Sequence, residues 1–421
     1  MTLSRRAFMQ ISALGAAAAA APWGVSLVGD QIGDGASHRS PIGDAIGGDG
    51  GAGDRRDGPN LLVILELQGG ADGFSTIVPV RNRHYRKRRS RTAVTKTIEL
   101  EAGHGWHPNL KRIAKRGAAG VLGVGVAKPD LSHFEMMARW WAGAPDANPV
   151  SSTGFLGRVC DAIGERDAAA VGLSLGGGPT PALAAERAAT MFMETADGGG
   201  LPLPNEGDDA ARAWRAATRM LAAGGPDEPA ALSLARAGVR AGLHFGDAVG
   251  SLPETKVEYP GTDLANRCQL AARLLSTDLG LRVVHIPWGS FDTHSGHTDS
   301  HASQLADLDA ALDTLLTDLG HRGIGHRVVI ATTSEFGRRA EDNGSNGLDH
   351  GTASNLLVIG EPVRAGLHGR PVRWDRLDSD GNLQATVAMT DYYASLARWM
   401  DVDPLAVLPH PAHVIDGLFR V

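Results

Sequence analysis

Cysteine is nearly missing from this chain of 421 residues: it has two, Cys160 and Cys268, at a spacing that fits neither a zinc knuckle nor a CxxC redox pair. A thiolate metal centre and a disulfide scaffold are thereby excluded, and the two thiols are expected to be buried and apolar in role. A positive surplus is missing too. The 41 Lys+Arg stand against 47 Asp+Glu, for a formal charge of −6, and nothing in that balance favours nucleic acid or an anionic membrane as partner. The leader lacks an apolar run of the roughly 20 residues a spanning helix needs. Its weakly apolar stretch Ile11–Ala21 is shorter and mostly alanine, so no stable membrane span is expected. The glycine-rich stretch VGLSLGGGPTPAL (171–183) carries no GKS or GKT, which removes a phosphate-cradling nucleotide loop.

What is present begins with Ser4-Arg5-Arg6-Ala7-Phe8-Met9, a twin-arginine export pattern with no acidic residue before Asp30. It points to a signal peptide over residues 1–28, to the twin-arginine export machinery as a partner, and to a periplasmic, extracellular or cell-envelope destination. Residues 29–58 are rich in Gly, Asp and Ser without hydrophobic period and read as a disordered linker. The folded part is expected over 59–421, as an α/β domain with a helical insertion near 203–250, where the composition turns Ala/Arg-rich at helical spacing.

That part opens with Leu61-Leu-Val-Ile-Leu-Glu-Leu67, an almost unbroken apolar run bounded by Gly69-Gly70, the pattern of a central parallel strand covered on both faces. Asp72 follows it. The run VVHI from Val283 reads as another buried strand, and behind it Asp292, His294, His297 and His301 lie close together. Carboxylate oxygen with imidazole nitrogen suits a divalent metal, although a solvated loop with helix-capping histidines has the same composition. Ser132 stands at a helix start with Glu135 at the capping-box position; the position suits a structural cap and also a nucleophile in the positive field of a helix N-terminus. Glu335 and Arg338 follow the strand that ends near Thr333, and Asp349-His350-Gly351 precede another. Strand ends of α/β sheets are where ligands bind, so these groups are expected to share one pocket. The basic run RNRHYRKRRSR (81–91) reads as a solvated face, with attraction of an anionic substrate or surface as the alternative.

In this order, Gly-Gly-Ala-Asp72-Gly, Ser132-His133-Phe134, Asp292-Thr293-His294-Ser295, Ser334-Glu335-Phe336-Gly337-Arg338 and Asp349-His350-Gly351 resemble a bacterial domain-of-unknown-function family, number 1501. That family is in turn similar to the alkaline phosphatase and sulfatase superfamily. The resemblance implies a three-layer α/β/α sandwich with a mostly parallel central sheet, metals at the strand ends and a nucleophile at a helix start. Carried over, Asp72, Asp292, His294, His297, Glu335, Asp349 and His350 become the metal candidates, with zinc, manganese or calcium as the divalent ion. Ser132 or a neighbour takes the nucleophile position, and Arg338 would neutralise charge on the transferred group. Gly296 stands where the superfamily has a histidine. The resulting expectation is an exported metallohydrolase-like protein acting on a small anionic phosphate or sulfate ester. The alternative is a non-catalytic exported binding or assembly protein that retains the fold; a metal-free Ser-His-Asp esterase is the weaker third reading.

Overall fold

A computed structural model describes residues 58–420, other than 128, 147–152, 165–167, 177, 194–207 and 224–228. The signal peptide expected over residues 1–28 and, but for its last residue, the linker expected over 29–58 lie outside the described residues. In chain order the strands are β1 (Leu61–Leu67), β2 (Ile77–Val78), β3 (Ile98–Glu99), β4 (Gly105–Trp106), β5 (Ala119–Gly125), β6 (Gly172–Leu175), β7 (Thr190–Met193), β8 (Val283–Trp288), β9 (Val328–Thr333), β10 (Ser354–Ile359), β11 (Gly366–Gly369) and β12 (Val387–Ala388). Nine of them form one sheet in the order β11-β5-β10-β9-β1-β8-β6-β7, with β12 beside β5, while β2, β4 and β3 make a small separate sheet.

All seven residues of β1 are buried, because the strand is covered on both faces. Leu61, Val63, Leu65 and Leu67 enter the core shared with the helices Asp263–Leu275 and His297–His321. Leu62 and Ile64 enter the core shared with the helices Phe155–Ile163 and Met389–Trp399. The result is the three-layer α/β/α arrangement, with each buried leucine stabilising by roughly 1.5–3 kcal/mol over its exposed state. Cys160 and Cys268 are free and buried, one in each of these cores. In the 203–250 region the helices Asp208–Ala222 and Ala230–Val249 are joined by Arg215–Asp247 at 3.2 Å and by Arg240 donating to the Ala222 carbonyl at 2.7 Å. Phe245 and Leu252 anchor this region to the core that holds Asp263–Leu275. Among the described residues no helix is long and apolar enough to cross a membrane.

Strand direction decides where the polar residues gather. β1 is parallel to β8 and β9, whereas β10 is antiparallel to both β9 and β5. The segments after β1, β5, β8 and β9 therefore leave the sheet at the edge where the segment before β10 enters it. That is why Asp349-His350, which precede their strand, meet residues that follow theirs. Gly69 (φ +99°) and Gly70 (φ +72°) turn the chain at the end of β1, where a Cβ would stand 2.6 Å from the Asp292 amide nitrogen and 2.2 Å from the Phe336 ring respectively.

Candidate metal centre

Asp292 follows β8 in a loop closed by Thr293 N–H donating to Phe291 O (2.7 Å) and His294 N–H to Asp292 O (3.1 Å). The loop is tied to the one before β10 by Leu348 N–H to Thr293 O (3.2 Å). Three imidazoles face the carboxylate. His294 Nε2 and His350 Nε2 lie 3.1 and 3.2 Å from Asp292 Oδ1, and His133 Nε2 lies 3.5 Å from Oδ2. His294 Nε2 and His350 Nε2 are 3.0 Å apart. One ligand atom each from His133, Asp292 and His350 falls within 4.8 Å of the other two.

The opposite ring nitrogens all have acceptors. His133 Nδ1 is 2.8 Å from Glu335 Oε1, His294 Nδ1 is 3.0 Å from Asp349 Oδ1, and His350 Nδ1 is 2.7 Å from the Leu131 carbonyl. A neutral ring with its proton on Nδ1 donates outward and leaves the Nε2 lone pair directed at Asp292. Three lone pairs and a carboxylate this close repel one another unless a proton or a cation lies among them. A divalent ion fits this donor set, and the carboxylate–histidine pairs behind it are those that orient metal-binding imidazoles. The outer carboxylates are themselves fixed. Glu335 Oε1 accepts from Gly69 N–H at 2.9 Å, and Asp349 Oδ1 from the Asn343 amide at 3.1 Å.

Charge states follow the surroundings. Burial pushes Asp292 upward, but the Arg338 guanidinium, His350 and His294 outweigh it and bring the carboxyl to about 2. The hydrogen bond to Glu335 raises His133, and burial lowers His350. The Asn343 hydrogen bond, followed by His294, holds Asp349 below the usual carboxylate range despite partial burial.

Of the candidates named from sequence, the structure brings Asp292, His294 and His350 together and places Glu335 and Asp349 one layer out, behind His133 and His294. Arg338 is not free to meet a transferred group. Its side chain is fully buried and donates to the carbonyls of Gly70 (2.7 Å), Leu348 (2.9 Å), Phe291 (2.9 Å) and Gly69, and to Asp292 Oδ1 (2.8 Å). It clamps the ends of β1 and β8 to the loop before β10. Ser132 does occupy the N-cap position of the helix His133–Ala142, yet its side chain makes no capping bond, so the reciprocal box with Glu135 is not formed and the hydroxyl is not spent on the helix.

Asp72 and His297 lie in a different, closed network. Asp72 is bidentate with Arg89, at 2.5 Å from Nη1 and 3.1 Å from Nη2, and both side chains are fully buried. His297 Nε2 sits 3.3 Å from Asp72 Oδ2 while its Nδ1 meets Thr293 Oγ1 at 2.7 Å. Burial would raise Asp72, but Arg89 and His297 hold it well below the carboxylate range. His301 stacks on His297 at 5.0 Å between ring centroids and shares a 3.2 Å hydrogen bond with Thr76 Oγ1; burial pushes it far down. Burial likewise brings nearby His107 to about 4.

Two groups escaped the sequence reading. His133 was visible only as the neighbour of a capping serine; its signal was its position behind β5, at the same sheet edge as the other candidates. The second is Glu66, His285 and Ser174, linked at 2.8 Å (Glu66 Oε2 to His285 Nε2) and 3.2 Å (His285 Nδ1 to Ser174 Oγ). Gly172-Leu-Ser174-Leu-Gly176 even matches the GxSxG spelling of a serine-hydrolase elbow. Such an elbow exposes its serine on a turn after the strand, whereas Ser174 lies inside β6 and is 1% exposed. The trio is a buried cross-strand network.

A family model described as "Protein of unknown function (DUF1501)" matches residues 110–411. None of the curated proteins matches the chain. Solved structures similar to it include the PsFucS1 sulfatase from Pseudoalteromonas sp., at 10% identity over 87% of this chain and 74% of that one with TM-score 0.39. The C-terminal periplasmic domain of EcEptC from Escherichia coli is similar at 9% identity over 85% and 88%, TM-score 0.37. Murine ectonucleotide pyrophosphatase/phosphodiesterase 5 is similar at 10% identity over 84% and 97%, TM-score 0.38.

Proposed function

This chain belongs to the family described as protein of unknown function DUF1501, and from that premise we propose that it is an exported metallohydrolase acting on a phosphate or sulfate ester. The observation that carries the reading is the convergence of three imidazole Nε2 atoms on Asp292, each ring oriented from behind by a carboxylate or a carbonyl. His133, Asp292, His294 and His350 would hold the ion. Imidazole nitrogen with one carboxylate favours zinc or manganese over calcium, which takes oxygen ligands. Bound there, a divalent ion supplies Lewis-acid polarisation of an ester oxygen.

The chain's own residues supply the rest. Ser132 precedes the ligand His133 at a helix N-terminus, where backbone N–H groups favour the approach of an anionic ester, and its uncommitted hydroxyl is the nucleophile candidate. Glu335 and Asp349 keep the protons of His133 and His294 on the far side of each ring. Arg338 fixes the carboxylate of Asp292 and the loops around it. The twin-arginine leader, with the export machinery as partner, supports delivery of a protein folded with its ion to the periplasm or cell envelope.

Elemental analysis of protein purified without chelator should find about one zinc or manganese per chain, falling to a tenth or less in Asp292→Ala. Undiminished metal in that variant refutes the assignment. One observation favours the second reading, a non-catalytic exported binding or assembly protein: Arg338, the cation expected to face the transferred group, has its donors committed to the protein. A panel of phosphomonoesters, phosphodiesters and sulfate esters with added Zn²⁺, Mn²⁺ or Ca²⁺ separates the two, since a metal-loaded protein inert on every ester is the binding protein.

A further inference from the structure

The basic run from Arg81 to Arg91 divides into spent and unspent charges. Arg89 is buried against Asp72, Arg88 pairs with Glu341 at 2.5 Å, and Arg81 reaches Glu99 at 3.8 Å. The acids nearby are taken as well. Asp342 accepts from Ser90 Oγ, the Arg91 and Thr92 amides and Thr92 Oγ1, and Asp375 is held by Arg373 at 2.7 Å. Arg83, Arg86 and Lys87, on the helix Arg83–Arg88, are exposed, and no carboxylate among the described residues pairs with them. Arg83 Nε donates to Nε2 of the neighbouring His84 ring at 3.3 Å.

Three uncompensated cations on one short helix in a chain of net charge −6 would be a solvated face if they stood alone. They do not. Arg91, at the end of the run, donates to the Asn343 carbonyl. Asn343 donates to Asp349 Oδ1 (3.1 Å) and to the His294 carbonyl (2.8 Å), and Asp349 orients the His294 ring at 3.0 Å. Arg88–Glu341 and the Asp342 contacts fasten the same run to the same loop. The end of the basic run is thus fastened, through Arg88 and Arg91, to the loop that leads to Asp349, and Asp349 and His294 have side chains 46% and 45% exposed.

We propose that Arg83, Arg86 and Lys87 form an anion subsite that extends the metal centre, so that the protein takes an oligoanionic substrate: one phosphate or sulfate group at the centre and the next charges of the same molecule on the basic helix. This rests on the hydrolase reading for the first group only. A second anchored charge turns the next contact into an intramolecular one, so affinity for the long anion rises steeply over that for a single group. The attraction is between solvated charges and weakens as salt shortens the roughly 10 Å screening length of 0.1 M buffer.

The test measures binding of a short linear polyphosphate and of orthophosphate to the full chain loaded with Zn²⁺, in the wild type, in Arg86→Gln/Lys87→Gln and in Asp292→Ala. Polyphosphate should bind about tenfold or more tighter than orthophosphate in the wild type. The double variant should bring the two within about twofold of each other and leave orthophosphate unchanged, and high salt should narrow the gap between the two anions. Undiminished polyphosphate affinity in the double variant overturns the subsite. So does undiminished affinity in Asp292→Ala, because the helix would then act apart from the centre. Vesicles of equal phosphatidylglycerol and phosphatidylcholine are the third probe: binding to them that the double variant abolishes, with polyphosphate binding no tighter than orthophosphate, assigns the helix to a lipid surface and also overturns the proposal. Absence of bound metal in the wild type is the failure of the hydrolase reading, and the effect of the double variant on polyphosphate remains readable in that case.

Discussion

Asp72 and Asp292 are both strand-end aspartates beside a histidine and an arginine, yet one is finished by the protein and the other is left open. Asp72 has a side chain with no exposure and a bidentate guanidinium that matches its charge. Asp292 has a side chain 43% exposed, one arginine nitrogen, and three imidazoles whose second nitrogens are already committed elsewhere. The lesson is that residue type does not distinguish a structural ion pair from a ligand set. What distinguishes them is whether the lone pairs find hydrogens inside the protein.

The sharpest way to break the comparison is to remove the arginine from the closed network. Arg89→Ala leaves the buried Asp72 carboxylate without its guanidinium, with His297 and the Phe74 N–H as its remaining partners, and roughly 3–5 kcal/mol of unfolding free energy should go with it, read by urea denaturation against wild type. Asp292→Ala removes a half-exposed group and deprives the buried Arg338 of its carboxylate, but Arg338 keeps the carbonyls of Gly69, Gly70, Phe291 and Leu348 as acceptors, so the variant should cost less stability than Arg89→Ala while costing the metal. Equal destabilisation by both would erase the distinction. Next in size are the outer carboxylates. Glu335→Gln and Asp349→Asn keep the shape but weaken the hold on His133 and His294, so metal affinity should drop roughly 10- to 100-fold in competition with a chromogenic chelator.

A smaller effect concerns acid. His301 and His107 have native pKa values depressed below the ordinary histidine value of about 6.5. Above that pH neither state takes the proton; below it the unfolded chain takes protons that the folded one refuses, so stability falls as the pH drops from about 6.5. Asp72, also depressed, contributes in full above the ordinary aspartate value of about 3.9 and loses that contribution only as the pH falls toward its lowered native value. His301→Gln keeps an N–H for Thr76 and removes one titration. Unfolding free energy measured between pH 6.5 and 5 should then fall less steeply, by up to about 1.4 kcal/mol per pH unit. An unchanged slope would mean that His301 is not resisting protonation.

Much of this organisation was legible in the chain. Leu61–Leu67 announces a doubly covered strand because every residue of it is buried, and Asp292 with His294 was readable because the pair follows a strand directly. His350 required the further fact that β10 runs antiparallel, which no local pattern encodes. Glu335 and Asp349 looked like ligands because a sequence shows that a carboxylate is present but not which atom of a neighbouring ring it faces. Asp72 was misplaced for a related reason: its partner lies within the run 81–91, which reads as a solvated face, yet Arg89 is 0% exposed. The same run therefore holds one arginine that closes a network and three cations that close nothing.

The smallest expected effect bears on Ser132, where the sequence supports two roles and the structure separates their consequences. A serine that caps a helix through its side chain costs about 0.5–2 kcal/mol when replaced by alanine. Ser132 makes no such bond; its backbone N–H donates to Asp130 Oδ1 at 2.8 Å instead, and that contact survives the substitution. Ser132→Ala should therefore shift unfolding free energy by no more than about 0.5 kcal/mol and leave the metal content unchanged, while abolishing turnover of any ester the wild type cleaves. Loss of stability on the scale of a missing cap would return Ser132 to the helix, and full turnover in the variant would pass the nucleophile's part to water.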